Sequence, residues 1–109
     1  MEFTVYKITN KINDKCYIGS SIRIYHRWNE EKNNAYNQKS KSYNYPLQCA
    51  FRKYGLENFS FEILKNDFIT LEEMWDYEYN MIIKFNSLVP NGYNQTLFTK
   101  CALQDPNVI

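Results

Sequence analysis

The sequence predicts one small α+β domain, in which a three-stranded antiparallel sheet is flanked by about three helices in the order β-β-α-α-β-α. Three observations support this fold class. The 109 residues limit the chain to one compact domain, and 44% hydrophobic with 23% charged residues is typical of a globular protein. Two extended segments near the amino terminus flank a polar turn. Four later segments have strand or helix periodicity with start and stop signals.

The first two strands form a predicted β-hairpin. Two segments rich in β-branched and aromatic residues flank a turn rich in Asn and Asp: residues 3–9, 15–19 and, for the turn, 10–14. A loop that closes with Thr9 facing Asp14 would place Tyr6 opposite Tyr17, with both rings on one face of the sheet. A slip of one residue would separate them.

The first helix is predicted to run from about residue 22 to about residue 33. Either Ser20 or Ser21 can cap its amino terminus. Ile24 and Trp28 are spaced to face the core. A neighbouring row of side chains, one helical turn apart, is charged: Arg23, Arg27 and Glu31.

A basic polar loop over residues 33–44 leads into the second predicted helix. Pro46 fits the first position of this helix, and Gly55 fits its carboxyl-terminal stop. A third strand is predicted over residues 58–65. One face of that strand would carry three apolar side chains: Phe59, Phe61 and Ile63.

The last predicted helix has about fifteen residues and ends near Asn86. Thr70 and Glu73 form a capping box at its start. Its apolar stripe is interrupted midway by Glu78: the other members are Leu71, Met74, Trp75, Met81, Ile82 and Phe85. Burying an unpaired carboxylate costs on the order of several kcal/mol. Glu78 must therefore be protonated, paired with a cation such as Arg27, hydrogen-bonded by tyrosines, or bound to a metal ion.

Charge is balanced overall but divided along the chain. The net charge is +1, yet residues 1–53 carry ten cations and four anions, whereas residues 54–109 carry three cations and eight anions. Two halves of opposite net charge suit a phosphate substrate, which the basic half would bind, together with a metal ion, which the acidic half would bind. Scattered, solvated surface charge is the simpler explanation of the same asymmetry.

Several classes of protein are excluded by composition. The apolar runs are too short for a transmembrane span, and the first ten residues lack the pattern of a secretory signal. Cys16, Cys49 and Cys101 are odd in number and form no CxxC pair, which argues against a disulfide framework or a Cys-rich zinc site. His26 alone cannot make a His-based zinc site and is expected on the surface. We expect a cytoplasmic protein with no membrane partner.

Tyr6 and Tyr17 allow two interpretations. As strand residues they can simply be half-buried, with their hydroxyls at the edge of the sheet. A catalytic role instead requires a pKa below the reference of about 10. Lys7, Lys15 or Arg27, or a metal ion, could lower it.

Six spaced features occur in a recognisable order: Val5-Tyr6-Lys7-Ile8, Tyr17-Ile18-Gly19-Ser20, Arg27-Trp28, Phe51-Arg52-Lys53-Tyr54-Gly55, Glu78 and Asn91-Gly92-Tyr93-Asn94. Together they resemble the GIY-YIG nuclease domain, most closely in its phage and intron-encoded homing endonuclease members. The resemblance covers about residues 3–96. It implies a nuclease domain over residues 1–96 and a carboxyl-terminal tail over residues 97–109.

The resemblance implies a DNA endonuclease that hydrolyses phosphodiester bonds with a single divalent metal ion, Mg²⁺ or Mn²⁺. Glu78 would bind the metal, and Arg27 would clamp the scissile phosphate. Either Tyr6 or Tyr17 would deprotonate the attacking water. In-line attack would leave a 5′-phosphate and a 3′-hydroxyl.

Three more residues are implied in substrate binding. Asn94 would be a supporting polar group near the phosphate. Gly19 would let the substrate or adjacent backbone approach closely. Lys15 is one of three lysines near the hairpin that can match a lysine used by some members.

The sequence departs from the family pattern at two places. The first motif reads Thr4-Val5-Tyr6 in place of Gly-Ile-Tyr but keeps the tyrosine. Glu31 stands where members usually carry His or Tyr. Its carboxylate could pair with Arg27, contribute to metal binding, take over proton transfer through water, or indicate reduced activity.

Two other functions are compatible with the same fold: a non-catalytic or weakly active nucleic-acid-binding module, and a structure-specific or RNA-directed nuclease. Target selection would be weak, would come from a homodimer or a separate targeting partner, or would reside in residues 33–44. The composition also suggests a phage, viral or mobile-element gene.

Overall fold

The computed structural model describes residues 3–97 and contains the predicted elements in the predicted order. The strands are β1 (Thr4–Asn10), β2 (Cys16–Ser21) and β3 (Phe59–Lys65), and the helices are α1 (Ile24–Asn34), α2 (Pro46–Tyr54) and α3 (Leu71–Lys84). The strands pair antiparallel in the order β2-β1-β3, which confirms the fold class. The predicted tail, apart from Leu97, and Cys101 lie outside the described residues.

The sheet has a hydrophobic cluster on each face because β1 is central and alternates its side chains. Tyr6 and Ile8 face α1 and α2, where they pack with a larger set: Ile24, Leu47, Ala50, Phe51 and Phe59. Val5 points the other way and packs with Ile18 against α3, through Met74, Trp75 and Ile82. Burying each large apolar side chain contributes about 1.5–3 kcal/mol, so both layers hold the sheet in place.

The register of the hairpin differs from the prediction by two residues. Tyr6 lies opposite Gly19, and Tyr17 lies opposite Ile8. The turn is longer than expected: Asn10 and Asn13 each accept a hydrogen bond from the backbone N–H two residues on, at 2.9 and 3.0 Å. Because a shift of two residues preserves the face, the two tyrosine rings still share one side of the sheet.

The first helix begins later than predicted. The Ser21 hydroxyl accepts a hydrogen bond of 2.9 Å from the backbone N–H of Arg23, which forms a turn before α1 and not a cap of the helix itself. Arg23 lies before the helix and so is not part of the predicted row with Arg27. Its Nη2 forms a surface ion pair with Glu30 Oε1 at 3.5 Å. Trp28 faces the core as predicted and stacks on the Phe61 ring, with centroids 5.1 Å apart.

The remaining elements follow their local signals closely. Pro46 begins α2, and Gly55 ends it with a φ of 89°. Thr70 accepts a hydrogen bond of 3.2 Å from the backbone N–H of Glu73, which confirms the cap of α3, although the helix ends at Lys84, two residues early. In β3, Ile63 lies opposite Tyr6 and so on the same face of the sheet as Phe59 and Phe61, as predicted, but next to the register irregularity at the Val5/Tyr6 end it is 47% exposed.

Within residues 3–97, no helix is both long and apolar enough to cross a lipid bilayer.

Candidate active site

A cavity of about 400 Å³ lies beside β2, where the two layers of the core meet. It brings together five of the residues that the sequence singled out, from four separate parts of the chain: Tyr17, Arg27, Glu31, Glu78 and Asn94. Tyr6, Gly19 and Lys15 do not line this cavity.

Glu78 is half-buried on the side of α3 that faces β2. Met74 and Ile82, one turn before and after it, are buried, so helical periodicity carries the carboxylate inward as predicted. Its surroundings are polar because the Ser20 hydroxyl on β2 donates a hydrogen bond of 2.8 Å to Glu78 Oε1. The carboxylate therefore meets the cavity and not the apolar core.

The donor atoms around the cavity suit a hard divalent cation. Carboxylate, hydroxyl and amide oxygens line it, and no thiol or imidazole does. Across residues 3–97, no three His, Cys, Asp or Glu side chains form a metal-binding cluster. Mg²⁺ tolerates such a sparse site, because it is often held by one or two carboxylates, with waters and substrate phosphate as its other ligands. The donors fit Mg²⁺ or Mn²⁺ and do not fit zinc.

The two motif tyrosines are neighbours, but only Tyr17 reaches the cavity. Their ring centroids are 6.3 Å apart, and Tyr6 is completely buried. Burial is the main cause that raises the pKa of each phenol above its usual range, and the charges of Glu31 and Glu78 raise both pKa values further. Arg27 lowers them too little to reverse this. Both phenols are therefore neutral at physiological pH.

Two of the three cations that could lower the tyrosine pKa values lie elsewhere. Lys7 is on the opposite face of β1, with its Nζ 4.0 Å from the centroid of the Phe85 ring. Lys15 lies in the hairpin turn and does not line the cavity. His26 is exposed, as expected. The depressed pKa that one of the two interpretations of the tyrosines requires is therefore not found for either phenol in the protein without a bound metal ion.

Gly19 provides space for tyrosine packing. A methyl group at this position would overlap Cζ and the hydroxyl of Tyr6 and would lie 2.9 Å from Cε2 of Tyr17. The close approach expected at this glycine is thus made by the Tyr6 ring from the adjacent strand. The Tyr6 hydroxyl also has no hydrogen bond of good geometry to any of residues 3–97, although its proximity slightly lowers the pKa of Tyr17.

Arg27 and Glu31 lie one turn apart on α1 and both line the cavity. Arg27 Nε is buried and has no hydrogen-bond partner among residues 3–97. Glu31 is 8% exposed, and burial raises the pKa of its carboxyl to about 7, although Arg27 acts in the opposite direction. The ion pairs found within the described part of the chain include neither residue. A salt bridge between Arg27 and Glu31, one of the alternatives that the sequence left open, is therefore absent there.

Asn94 fastens the segment after α3 to the edge strand. Its Oδ1 accepts hydrogen bonds from the Ile18 N–H at 2.8 Å and from the Ser87 hydroxyl at 2.7 Å, and its Nδ2 donates to the Ile18 carbonyl at 2.8 Å. The amide thus pairs with β2 as a neighbouring strand would. It positions the strand that carries Tyr17.

The sequence did not single out three other residues that line the cavity, Ser42, Tyr45 and Gln48, although Ser42 falls within residues 33–44, one of the expected sources of target selection. One signal for Gln48 was available: it is a polar residue among the apolar residues of α2. It is buried, and its Nε2 donates to the Glu31 carbonyl at 3.4 Å. Ser42 and Tyr45 lie in a loop without periodicity, which offers no comparable signal.

Arg52 holds that loop in place. Its Nη1 donates hydrogen bonds of 2.7 Å to the carbonyls of both Ala35 and Tyr43, and its guanidinium carbon lies 3.8 Å from the centroid of the Tyr43 ring. Two ends of the loop are thereby tied to α2. The second nitrogen, Nη2, donates to Cys49 Sγ at 3.4 Å while the planar group lies against the Tyr43 ring, a combination that a lysine ammonium could not reproduce.

Comparisons with known proteins identify the family and agree with the fold. The family model of the GIY-YIG catalytic domain matches residues 2–94. The "Putative endonuclease segB" of Enterobacteria phage T4 is 39% identical over 97 residues, which cover 89% of this chain and 39% of segB. The "Probable intron-encoded endonuclease 1" of Neurospora crassa is 36% identical over 95 residues, 83% of this chain and 29% of that protein.

Solved structures give the same result. A variant of the catalytic domain of the intron endonuclease I-TevI superimposes with a TM-score of 0.76 and 28% identity, covering 91% of this chain and 98% of that domain. The chain spans well under half the length of the curated relatives that it matches. It belongs to the GIY-YIG family and carries the catalytic domain of these endonucleases.

Proposed function

We propose that this chain is a metal-dependent endonuclease that hydrolyses phosphodiester bonds in DNA. The observation that carries the proposal is the convergence of Tyr17, Arg27 and Glu78, from three different elements, on one polar cavity. Charged and polar side chains that converge from separate elements on a space open to ligand are typical of a functional site. The shared catalytic domain of named endonucleases supports the same conclusion.

In this proposal Glu78 holds Mg²⁺ or Mn²⁺, with the Ser20 hydroxyl orienting its carboxylate. The cation would supply positive charge to offset the charge that grows on the phosphate during attack. The charge of the cavity also indicates that a bound cation is needed. Arg27 is opposed there by Glu31 and Glu78, so the lining residues between positions 3 and 97 give no net positive charge to attract a phosphodiester when both carboxyls are ionised.

Arg27 would bind the scissile phosphate. Its Nε is buried and donates no hydrogen bond to any of residues 3–97. The half-buried guanidinium therefore suits an anionic ligand with two oxygens. The same contact would stabilise the charge that develops on those oxygens in the transition state.

Tyr17, and not the fully buried Tyr6, would contact the attacking water. Because Tyr17 is neutral, it would act as a hydrogen-bonding group that orients the water and passes on a proton. Tyr6 would pack beside the Tyr17 ring and help to hold it in place. In-line attack leaves a 5′-phosphate and a 3′-hydroxyl.

One cavity would cut one strand at a time, so a double-strand break would require a homodimer, a second binding event or a targeting partner. The named relatives are a phage protein and an intron-encoded protein. We infer a comparable mobile-element origin and a cytoplasmic site of action for this chain.

The test is cleavage of supercoiled plasmid with Mg²⁺ or Mn²⁺. Wild type should nick the plasmid, Glu78→Ala should not, and Asp76→Ala, which removes an exposed carboxylate from the same helix, should behave as wild type. The proposal fails if wild type and Glu78→Ala behave alike. Duplex, flap, hairpin and RNA substrates in parallel identify the target, and DNA binding without cleavage would indicate a binding module.

A further inference from the structure

The cavity contains a second carboxyl group that the proposed chemistry leaves without a role. Glu31 projects from α1 into the wall that also carries Tyr17 and Arg27. It is almost completely buried, and it belongs to none of the ion pairs among residues 3–97. The Gln48 side chain of α2 donates a hydrogen bond to the backbone carbonyl of Glu31 and so holds this turn of α1 in place.

The other ionisable groups of the cavity are poor final acceptors for a proton. Arginine stays protonated, and neutral phenols are weak bases near neutral pH. The Tyr93 hydroxyl is already engaged, since it accepts a hydrogen bond of 3.0 Å from Asn10 Nδ2. Glu78 is hydrogen-bonded by Ser20 and is the proposed metal ligand. Among the side chains that line the cavity, Glu31 is the remaining base.

We propose that Glu31 is the final acceptor of the proton that the attacking water loses, and that it receives this proton through the Tyr17 hydroxyl. As the water oxygen bonds to phosphorus, its proton passes to the Tyr17 oxygen while the phenolic proton passes to the Glu31 carboxylate. The bond from phosphorus to the 3′ oxygen breaks, and that oxygen takes a proton from solvent. This inference rests on the proposed nuclease function.

Electrostatics support a close coupling between these two groups. After burial, the charge of Glu31 is the largest influence on the pKa of Tyr17. A relay avoids a free phenolate, which burial makes unfavourable at this position. It also explains how a tyrosine with a raised pKa can serve in water attack.

The Glu31 carboxyl is well matched to proton transfer near neutral pH. The pKa of this carboxyl is about 7 because burial and the charge of Glu30 raise it more than the charge of Arg27, on the same helix, lowers it. The other titratable groups around it are Tyr6 and Tyr17 from the sheet, Glu78 from α3 across the cavity, and Tyr45 ahead of α2. A divalent cation in the cavity would lower its pKa further and enlarge its ionised fraction.

The experiment is single-turnover cleavage of a DNA duplex with Mg²⁺ from pH 5 to pH 9. The wild-type rate should rise with pH, with a midpoint at or below about 7. Glu31→Gln, which keeps the shape but removes the base, should lose roughly 100- to 10,000-fold in rate together with this rise. Glu31→His should restore a pH-dependent rate, because imidazole is also a base near neutral pH. Tyr17→Phe should be as slow as Glu31→Gln.

Controls separate this inference from the function it rests on. Glu30→Gln removes the adjacent, more exposed carboxylate and should keep the wild-type profile. Carboxyl ¹³C shifts of metal-free wild type should report a Glu31 titration near 7, independently of activity. If Glu31→Gln retains the wild-type rate and profile, the relay is wrong while the nuclease proposal stands. If wild type shows no metal-dependent cleavage, both proposals fail.

Discussion

Glu31 is a residue whose protonated form the folded state favours, and this links stability to pH. Folding raises its pKa from 4.5 to about 7, so between those values the folded chain binds a proton that the unfolded chain has released. Stability therefore falls as pH rises through this window. The full shift corresponds to an upper bound of about 3 kcal/mol. The proposed proton acceptor thus lowers stability near neutral pH, as is common for groups at active sites.

Replacing Glu31 with Gln should remove this dependence. We expect Glu31→Gln to match wild type near pH 4.5 and to exceed its free energy of unfolding at pH 8 by up to about 3 kcal/mol. Urea unfolding followed by circular dichroism at both pH values measures the difference. Glu30→Gln is the control, and equal pH slopes for wild type and Glu31→Gln would contradict the assignment.

Gly19 is a second residue with a specific physical requirement, since the Tyr6 ring occupies the space above it. Gly19→Ala should destabilise the fold by about 1–3 kcal/mol through overpacking. The overlap involves the Tyr6 hydroxyl, so Gly19→Ala should cost less in a Tyr6→Phe background than in wild type. A double-mutant cycle by thermal unfolding tests this coupling. Strictly additive effects would show that the Tyr6 hydroxyl is not the obstacle.

At the scale of secondary structure, the elements with local signals were the ones that the sequence predicted well. Pro46 and Gly55 delimit α2, and Thr70 with Glu73 begins α3, because each pair acts within a few residues. The hairpin register was missed because it depends on two side-chain hydrogen bonds in the turn and not on strand periodicity. The facing of Glu78 was predicted, since helical periodicity alone determines it.

The environment of the site residues was harder to predict. Whether cations lower the pKa of Tyr17 depends on which side chains surround it in three dimensions, and those are Glu31, Glu78 and Arg27. Likewise, the role of Asn94 as a partner for the β2 edge joins residues 76 positions apart. Contacts between residues so far apart in sequence cannot be predicted from a local pattern. The positions of the site residues were therefore predicted better than their pKa values and hydrogen-bond partners.

The loop between α1 and α2 provides a test at the scale of an element. It carries Ser42 and Tyr45 to the cavity and is tied down by Arg52. Arg52→Lys should leave a carbonyl of Ala35 or Tyr43 without its partner, at a cost of about 1–3 kcal/mol.

The loop should then open more often than the fold as a whole. Trypsin should cleave Arg52→Lys after Lys39 and Lys41 faster than it cleaves wild type, and the KM for DNA should rise more than kcat falls. Lys53→Ala, which changes the exposed neighbour of Arg52, is the matched control. An unchanged cleavage rate in the loop would show that Arg52 is dispensable there.

At the scale of the whole molecule, the near-neutral net charge reflects two opposed halves that meet at the cavity. The basic first half supplies Arg27 and the acidic second half supplies Glu78, while Glu31 adds a negative charge from within the basic half. The cavity is therefore not itself a strong phosphate site without a cation. Surface lysines contribute a general attraction to DNA that salt screens.

This charge distribution predicts DNA binding that depends more on a divalent cation than on salt. The affinity for a short duplex, measured by fluorescence anisotropy with non-reacting Ca²⁺, should rise on adding the cation for wild type but not for Glu78→Ala. Asp76→Ala should respond as wild type does. The slope of log affinity against log salt should correspond to only about two or three released counterions, because few cations face the cavity. A steep salt slope with no response to Ca²⁺ would instead assign the binding to the basic surface, and it would remove the cavity from the explanation of how DNA is held.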